Sequence, residues 1–262
     1  MSFSIKTVAG EYVQKRFPHA STSEKEKIIN DWTNKISDSQ ALVVDFKRRV
    51  GDPRDKKILD VGSGNGGVSI AFALAGGEVC GIDVEKNLYE ISVKFAESRG
   101  VSIKFFLYEG FRLPFEDDFF DYAVSVSVLE HTTDPIKYLS EILRVTKPKG
   151  KLYLAFPNKF WPKETHTGLW FLSYLPNFMQ NKLTSIFHRS PLKDHNLHFY
   201  SYFGLERMID RIKANGSYWR IVPERGGTQN FVKKAFKKIL NFLDLPYKTF
   251  LSHISVILEK VD

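Results

Sequence analysis

The sequence predicts an α/β fold in which helices cover both faces of a doubly wound, mostly parallel sheet of seven strands. From Lys57 onward, short apolar runs that suit buried strands alternate with longer segments that suit helices. Glycines punctuate the ends of these segments, as at Gly76, Gly77, Gly100 and Gly150. Such alternation is typical of a parallel sheet covered on both sides, whose ligands bind at the carboxyl ends of the strands.

Each element can be placed from the apolar pattern. Strands are predicted at residues 57–61, 78–83, 102–108, 121–128, 151–156, 217–222 and 254–260. Helices are predicted at residues 66–75, 85–98, 135–146 and 201–212. Residues 1–53 are predicted to form a helical leader, with a capping box from Ser23 to Glu26 and a second helix from Ala41 to Val50. We expect residues 1–262 to form a single domain.

Two stretches interrupt the alternation. Residues 157–203 are rich in aromatic and histidine side chains, and their place after the fifth strand predicts a cap insertion over the active site. A helical insertion with a small core of its own is the alternative. Within residues 229–245, the segment 231–243 has an apolar stripe and four lysines mostly on the other face. A basic amphipathic helix of this kind lies on a membrane or packs its stripe into the core.

Composition narrows the class of protein. The chain has 262 residues, of which 43% are hydrophobic, and a net charge of +8. This charge is compatible with binding to nucleic acid, with binding to an anionic membrane surface, and with an ordinary basic surface that has no such partner. A single cysteine excludes a disulfide framework. The start of the chain lacks a signal-peptide pattern, and no apolar run approaches the length of about 20 residues that a membrane-spanning helix needs. These observations predict a cytoplasmic protein. Peripheral contact with a membrane through residues 231–243 remains an alternative.

The first predicted strand runs into a glycine-rich turn. Residues 57–67 read Lys-Ile-Leu-Asp-Val-Gly-Ser-Gly-Asn-Gly-Gly, and a helix of small and apolar residues follows. Gly62, Gly64 and Gly66 allow a left-handed backbone and leave no Cβ in the way of a ligand, which the first N–H groups of the helix then face. The spacing also satisfies the dinucleotide fingerprint Gly-x-Gly-x-x-Gly, so the turn alone leaves a nicotinamide-dependent oxidoreductase open. Asp60, at the strand end, suits a cationic or amine-bearing ligand better than a pyrophosphate.

Further blocks follow the turn in a specific order. They read Leu-Asp-Val-Gly-Ser-Gly-Asn-Gly at 59–66, Gly-Ile-Asp at 81–83, Leu-Pro-Phe at 113–115, Val-Leu-Glu-His at 128–131 and Lys-Pro-Lys-Gly-Lys-Leu at 147–152. Together they resemble the Rossmann-like class I S-adenosylmethionine-dependent methyltransferases, most of all the branch with the ubiquinone-biosynthesis O-methyltransferases. The resemblance covers roughly residues 55–160. It implies S-adenosyl-L-methionine as cofactor and S-adenosyl-L-homocysteine as product.

The resemblance also implies a set of cofactor contacts. Asp60 and the turn should hold the methionine end, and the Asp83 carboxylate should accept hydrogen bonds from both ribose hydroxyls, with helix capping as its alternative role. Glu109 occupies the place of the acidic residue that takes the adenine amino group, although most relatives have aspartate followed by alanine there. The full set of expected cofactor-binding residues is Asp60, Gly62, Ser63, Gly64, Gly66, Asp83, Val84, Glu109, Gly110, Phe111 and Ser127.

Catalysis of methyl transfer to a hydroxyl benefits from a base, and histidine is the usual one near neutral pH. His166 is the first candidate, followed by His195 and His198, and a structural role is the alternative for each. The Glu130-His131 pair resembles the metal-binding pair of some quinone O-methyltransferases. Ser127 stands where those proteins have a further glutamate, so no metal site is predicted.

These observations predict methyl transfer from S-adenosylmethionine to a small or lipid-like acceptor, with oxygen as the expected acceptor atom. The aromatic residues of 157–203 indicate an apolar acceptor. The charge suggests an RNA methyltransferase as one alternative, but residues 125–128 read Ser-Val-Ser-Val, unlike enzymes that methylate base amino groups, and we expect no nucleic-acid partner. A non-catalytic S-adenosylmethionine-binding protein is the other alternative.

Overall fold

The computed structural model describes residues 4–18, 20–110, 112–165, 167–187, 197–214, 216–223 and 251–262. The strands are β1 (Lys57–Val61), β2 (Glu78–Asp83), β3 (Lys104–Leu107), β4 (Phe120–Val126), β5 (Thr146–Pro157), β6 (Lys213–Ala214), β7 (Ser217–Ile221) and β8 (His253–Val261). The helices are α1 (Ile5–Arg16), α2 (Thr22–Arg49), α3 (Gly67–Leu74), α4 (Lys86–Ser98), α5 (Pro135–Val145), α6 (Asn177–Ile186) and α7 (Tyr202–Ile209).

The strands form one sheet in the order β3-β2-β1-β4-β5-β8-β7-β6. The five strands from β3 to β5 are parallel, and β8, β7 and β6 continue the sheet in antiparallel fashion. This confirms the predicted fold class: the seven predicted strands are present, and the two-residue strand β6 extends the edge. The helix predicted at 201–212 is shorter, because a turn at Asp210 and Arg211 leads into β6.

Apolar side chains pack against both faces of the sheet, as the doubly wound prediction requires. On one face, Leu139 and Ile142 of α5 and Leu205 of α7 share a buried cluster with Leu59 of β1. On the other face, side chains of α2 and α3 pack against β1, β2 and β4; the cluster includes Val43, Phe46, Val68, Phe72, Ile58, Val79 and Val124. The central strands β1 and β4 are therefore covered on both sides, which explains why they read as continuous apolar runs.

The leader is helical as expected, but its details differ from the prediction. The helix α2 is continuous over 28 residues, so the separate helix expected from Ala41 to Val50 is wrong. The capping box lies at Ser21 and Glu24, two residues before the predicted one: Ser21 N–H donates to Glu24 Oε2 at 2.9 Å, and Glu24 N–H donates to Ser21 Oγ at 3.3 Å. The segment 37–40 contains no glycine or proline that would end a helix, and the structure continues α2 through it, with Ser39 buried.

The C-terminal part of α2 belongs to the central core. The Phe46 side chain is fully buried and meets the rings of Phe72 and Tyr122 edge to face, with centroids 4.8 Å and 5.4 Å away.

Residues 231–243, within the predicted 229–245 amphipathic segment, lie outside the described residues. Within the described part of the chain, no helix has the length and apolarity needed to cross a bilayer.

We expect Phe46→Ala to lower the free energy of unfolding by about 3–5 kcal/mol, because it removes a buried aromatic ring and leaves a cavity. Denaturant unfolding measures this change. Val44→Ala is the matched control, since Val44 lies two residues away on the same helix and is 67% exposed; its effect should stay within about 0.5 kcal/mol. Equal effects of the two changes would show that α2 is not part of the core.

Candidate functional site

The turn after β1 is fixed onto the end of β2. Gly62 N–H and Ser63 N–H both donate to the Ile82 carbonyl, at 2.8 Å and 3.0 Å. Gly64 N–H donates to Asp83 Oδ2 at 2.8 Å. Because β1 and β2 are parallel neighbours, these bonds bring the predicted glycine turn and the predicted Asp83 together at the carboxyl edge of the sheet.

The three alternate glycines of the turn have left-handed backbones, with φ of 74° at Gly62, 56° at Gly64 and 82° at Gly66. A Cβ at Gly62 would lie 2.4 Å from Val128 Cγ2, so packing also requires glycine there. A Cβ at Gly64 would meet no atom within 4 Å. The middle of the turn therefore faces open space, which is where a ligand can approach the backbone.

Asp60 is almost fully buried behind this turn. Its Oδ2 accepts a hydrogen bond from Ser69 Oγ of α3 at 2.6 Å. Burial raises the pKa of Asp60 to about 6, while the Ser69 hydrogen bond and the positive charge of Lys35 oppose the shift and the charge of Asp83 adds to it. Asp60 thus contributes a negative charge, at neutral pH, directly beneath the start of α3.

Asp83 is 8% exposed and holds two backbone segments. Besides the bond from Gly64, its Oδ1 accepts from Glu85 N–H at 2.9 Å. Burial raises the pKa of Asp83, and the backbone bonds from Glu85 and Gly64 oppose that shift. Each carboxylate oxygen has a second lone pair, so these contacts leave acceptor capacity for a ligand. Asp83 is not the N-cap of α4, because that position is occupied by Glu85, whose own side chain makes no capping hydrogen bond.

Lys35 of α2 is a site residue that the sequence did not reveal. Its side chain crosses the start of α3 so closely that a Cβ at Gly67 would lie 2.5 Å from Lys35 Cγ. The Lys35 ammonium forms no hydrogen bond or ion pair with another described residue, but its charge acts on Asp60. Only the packing of α2 on α3 brings this lysine to the turn, and no local pattern marks it.

The end of β3 adds the other predicted residues to the same edge. Asp83 pairs with Leu107 in the sheet, and Tyr108 N–H donates to the Asp83 carbonyl at 3.1 Å. A Cβ at Gly110 would lie 3.4 Å from Val84 Cγ1, so these two predicted residues are neighbours, and the adjacent Glu109 is exposed. Phe111 lies outside the described residues.

The helix α1 also reaches this region. Tyr12 O–H donates to Glu85 Oε2 at 2.9 Å, and the Tyr12 ring stacks on Trp32 of α2 with centroids 4.8 Å apart. Burial, followed by the charge of Glu85, raises the pKa of Tyr12 far above its usual range. The leader therefore covers the outside of the loop that follows Asp83, although no local sequence pattern marks Tyr12 as the contact residue.

The end of β4 carries the candidate catalytic region. Ser127 is exposed with a left-handed φ of 58°, a strained conformation that is frequent at functional sites. Its N–H donates to the Ala155 carbonyl at 2.8 Å. Glu130 is 2% exposed, and its carbonyl accepts from the His198 N–H at 2.7 Å. The backbone thereby brings His198, whose side chain is exposed, to the residues that follow β4.

The other two candidate histidines, His166 and His195, lie outside the described residues. Of the three predicted bases, the described chain places only His198 near the carboxyl edge of the sheet. Among the described residues, no three or more histidine, cysteine, aspartate or glutamate side chains lie together in a group that could hold a metal ion.

Known proteins resemble this chain in its central part. Residues 59–154 match the family described as a methyltransferase domain. Over 115 residues the chain is 39% identical to a demethylmenaquinone methyltransferase of Renibacterium salmoninarum, which covers 44% of this chain and 45% of that protein. Over 115 residues it is 35% identical to a ubiquinone biosynthesis O-methyltransferase of Actinobacillus pleuropneumoniae, covering 40% and 47%. The match thus spans about half the length of these curated relatives.

A solved structure extends the likeness over the whole fold. Magnesium protoporphyrin IX methyltransferase from Synechocystis, with bound S-adenosylhomocysteine, superposes with a TM-score of 0.56 at 15% identity and covers 97% of this chain and 99% of that one. At this identity the likeness concerns the fold, and it includes the leader and the antiparallel edge of the sheet.

We expect the free energy of unfolding to fall by about 2 kcal/mol between pH 4 and pH 6 through Asp60 alone, as part of a total of about 3 kcal/mol over the whole titration. The folded-state pKa of about 6 lies above the usual 3.8, so the folded chain binds the extra proton in this window and loses that advantage as the pH rises. Asp60→Asn remains neutral and can still accept from Ser69. The free energy of unfolding of this variant should equal that of the wild type near pH 4 and exceed it above pH 6. Denaturant unfolding at a series of pH values measures this difference. A wild type that equals or exceeds the variant above pH 6 would contradict the assignment.

Proposed function

We propose that this chain, whose residues 59–154 match a methyltransferase domain, is a class I S-adenosylmethionine-dependent methyltransferase that transfers a methyl group from that cofactor to an oxygen of a small or lipid-like acceptor. The observation that carries the proposal is the set of charges around the glycine turn. Asp60 and Asp83 lie behind and beside the turn, and Lys35 crosses the start of the following helix.

The charges of the site complement those of S-adenosylmethionine. This cofactor has two positive groups, the sulfonium and the ammonium, and one negative carboxylate. The site offers two carboxylates, Asp60 and Asp83, and one ammonium, Lys35. A dinucleotide would instead bring a doubly negative pyrophosphate toward the turn in front of the buried Asp60, where repulsion opposes it. The donors and acceptors of the site therefore fit the sulfonium cofactor and not the dinucleotide.

Each polar group of the site can then be given a role. The free acceptor capacity of Asp83 suits the two ribose hydroxyls, and Glu109 with Gly110 lies beyond it on the adenine side, beside Val84. Lys35 suits the carboxylate of the methionine part, and Asp60 favours the nearby ammonium through its charge. The open space over Gly64 gives the methionine part access to the backbone N–H groups of the turn.

When bound, S-adenosylmethionine supplies a methyl group on a sulfonium that is already activated. The remaining task of the chain is to orient the acceptor hydroxyl and to receive its proton. Orientation alone can contribute about 7–11 kcal/mol to lowering the barrier. The exposed His198 imidazole is the described group suited to take the proton as the oxygen–carbon bond forms and the carbon–sulfur bond breaks. Ser127, at the end of β4, is the residue expected to approach the sulfonium.

The acceptor class rests on two supports. The insertion after β5 is rich in aromatic residues and begins beside Ser127, whose N–H donates to Ala155 of β5, which suits an apolar or aromatic acceptor. The relatives named above for demethylmenaquinone and for ubiquinone biosynthesis support an acceptor of that kind.

Calorimetry with S-adenosylmethionine, S-adenosylhomocysteine and NAD tests the cofactor assignment. We expect the first two to bind with dissociation constants of about micromolar and NAD not to bind. Asp83→Asn should weaken the binding of S-adenosylhomocysteine at least about tenfold, because it removes the charge and one acceptor oxygen. Glu78→Gln, at the exposed start of the same strand, is the matched control and should leave the affinity unchanged. Binding of NAD alone would overturn the proposal.

A second experiment tests Lys35 by comparing two ligands. Lys35→Met keeps the aliphatic stem over Gly67 and removes the ammonium, so S-adenosylhomocysteine should bind about tenfold more weakly. The ligand 5′-methylthioadenosine lacks the amino-acid part, and its affinity should not change. Lys47→Met, on an exposed position of the same helix, is the control. Equal losses for both ligands would mean that Lys35 acts on the shape of the turn and not on the carboxylate.

A further inference from the structure

In the helix α6 the buried side chains are polar and several exposed side chains are apolar, which is the reverse of an ordinary surface helix. Its buried side chains are polar: Gln180 is 5% exposed and Thr184 is fully buried, and both are satisfied by backbone carbonyls. Its exposed side chains include Phe178 at 74% and Ile186 at 57%. Ordinary surface helices place apolar residues inward. This orientation presents apolar residues to whatever contacts the outer side of α6.

The segment just before α6 presents aromatic rings in the same way. Trp170, Phe171 and Tyr174 are each at least half exposed, with neighbouring ring centroids 6.1 Å and 6.2 Å apart. Of the thirteen large exposed hydrophobic side chains in the described residues, eight lie between 160 and 187. This concentration is much greater than scattered exposure on an ordinary surface. We call the group of Trp170, Phe171, Tyr174, Phe178 and Ile186 the apolar platform.

The exposed charges of the segment that contains the apolar platform have one sign. The exposed charged side chains of the described residues 157–187 are Lys159, Lys163 and Lys182, and the single acid, Glu164, is buried and accepts from Thr167. The Lys163 ammonium lies 6.0 Å from the centre of the Trp170 ring. A partner of this surface must therefore combine an apolar interior with a negative rim.

We propose that the apolar platform docks the chain on the surface of a phospholipid bilayer that contains anionic lipids. Aromatic rings and aliphatic side chains bordered by lysines match the boundary between acyl chains and negatively charged headgroups. A second copy of this chain is a poor occupant, because its own three lysines would face these three. The docking needs no spanning helix, in keeping with the short α6 of ten residues.

Vesicle sedimentation tests the proposal with the whole chain. Wild type should sediment with vesicles of phosphatidylcholine and phosphatidylglycerol, and much less with phosphatidylcholine alone. Phe178→Ser and Trp170→Ser should each lower the partition coefficient about tenfold, because each removes an aromatic side chain from the acyl boundary. The matched control is Tyr218→Ser on β7, an aromatic side chain that is 41% exposed elsewhere, and it should not change the partition coefficient.

The charge part of the proposal has its own variants. The double change Lys163→Glu and Lys182→Glu should abolish the preference for phosphatidylglycerol, whereas Lys47→Glu on α2 should not. Thermal unfolding and S-adenosylhomocysteine binding check that each variant is folded, as expected for exposed positions. Wild type that stays in the supernatant, or binding that survives the double change Phe178→Ser and Trp170→Ser, overturns the proposal. A wild-type dimer that Phe178→Ser converts to a monomer also overturns it, in favour of self-association.

Discussion

The hydrogen bond from Gly64 to Asp83 is the contact on which the site depends. It ties the turn after β1 to the carboxylate at the end of β2, and thereby sets the position of α3 relative to the neighbouring strand. The parallel register of β1 and β2 makes this possible, because both strands end at the same edge. A ligand at this edge meets a rigid arrangement, in which one carboxylate both holds the turn and keeps lone pairs for the ligand.

This arrangement is electrostatically unfavourable without a cationic ligand. Asp60 and Asp83 are both buried, their pKa values are both raised mainly by burial, and the charge of Asp83 raises that of Asp60 further. The positive charge of Lys35 relieves Asp60 only in part. A chain selected for stability alone would favour neutral residues here. The two acids are therefore most readily explained by a positively charged ligand whose binding offsets the cost of their burial.

The sequence predicted those parts of the molecule that local chemistry determines. The glycines at 62 and 66 and the acid at 83 follow from the strand-turn-helix pattern, and the structure brings them together as expected. Lys35 and Tyr12 could not be found in this way, since they reach the site through the packing of separate helices. The capping box was misplaced by two residues because Ser21 with Glu24 and Ser23 with Glu26 satisfy the same sequence pattern, and the helix begins after the first of the two serines. The exposure of the apolar side of α6 was also not predicted. The sequence pattern of a helix with apolar residues on one side is the same whether that side is buried or exposed.

The site and the apolar platform are connected through the same edge of the sheet. The chain leaves β5 at its carboxyl end and enters the segment that leads to Trp170 and α6. The backbone near His198 returns to this edge, where Asn158 forms a bridge with Tyr200. On the other side, the Lys27 ammonium of α2 donates to the Thr165 carbonyl at 3.3 Å, which links the leader to the same segment. A bilayer that held the platform would therefore contact a segment that begins at the cofactor edge of the sheet and returns to the same edge at Tyr200.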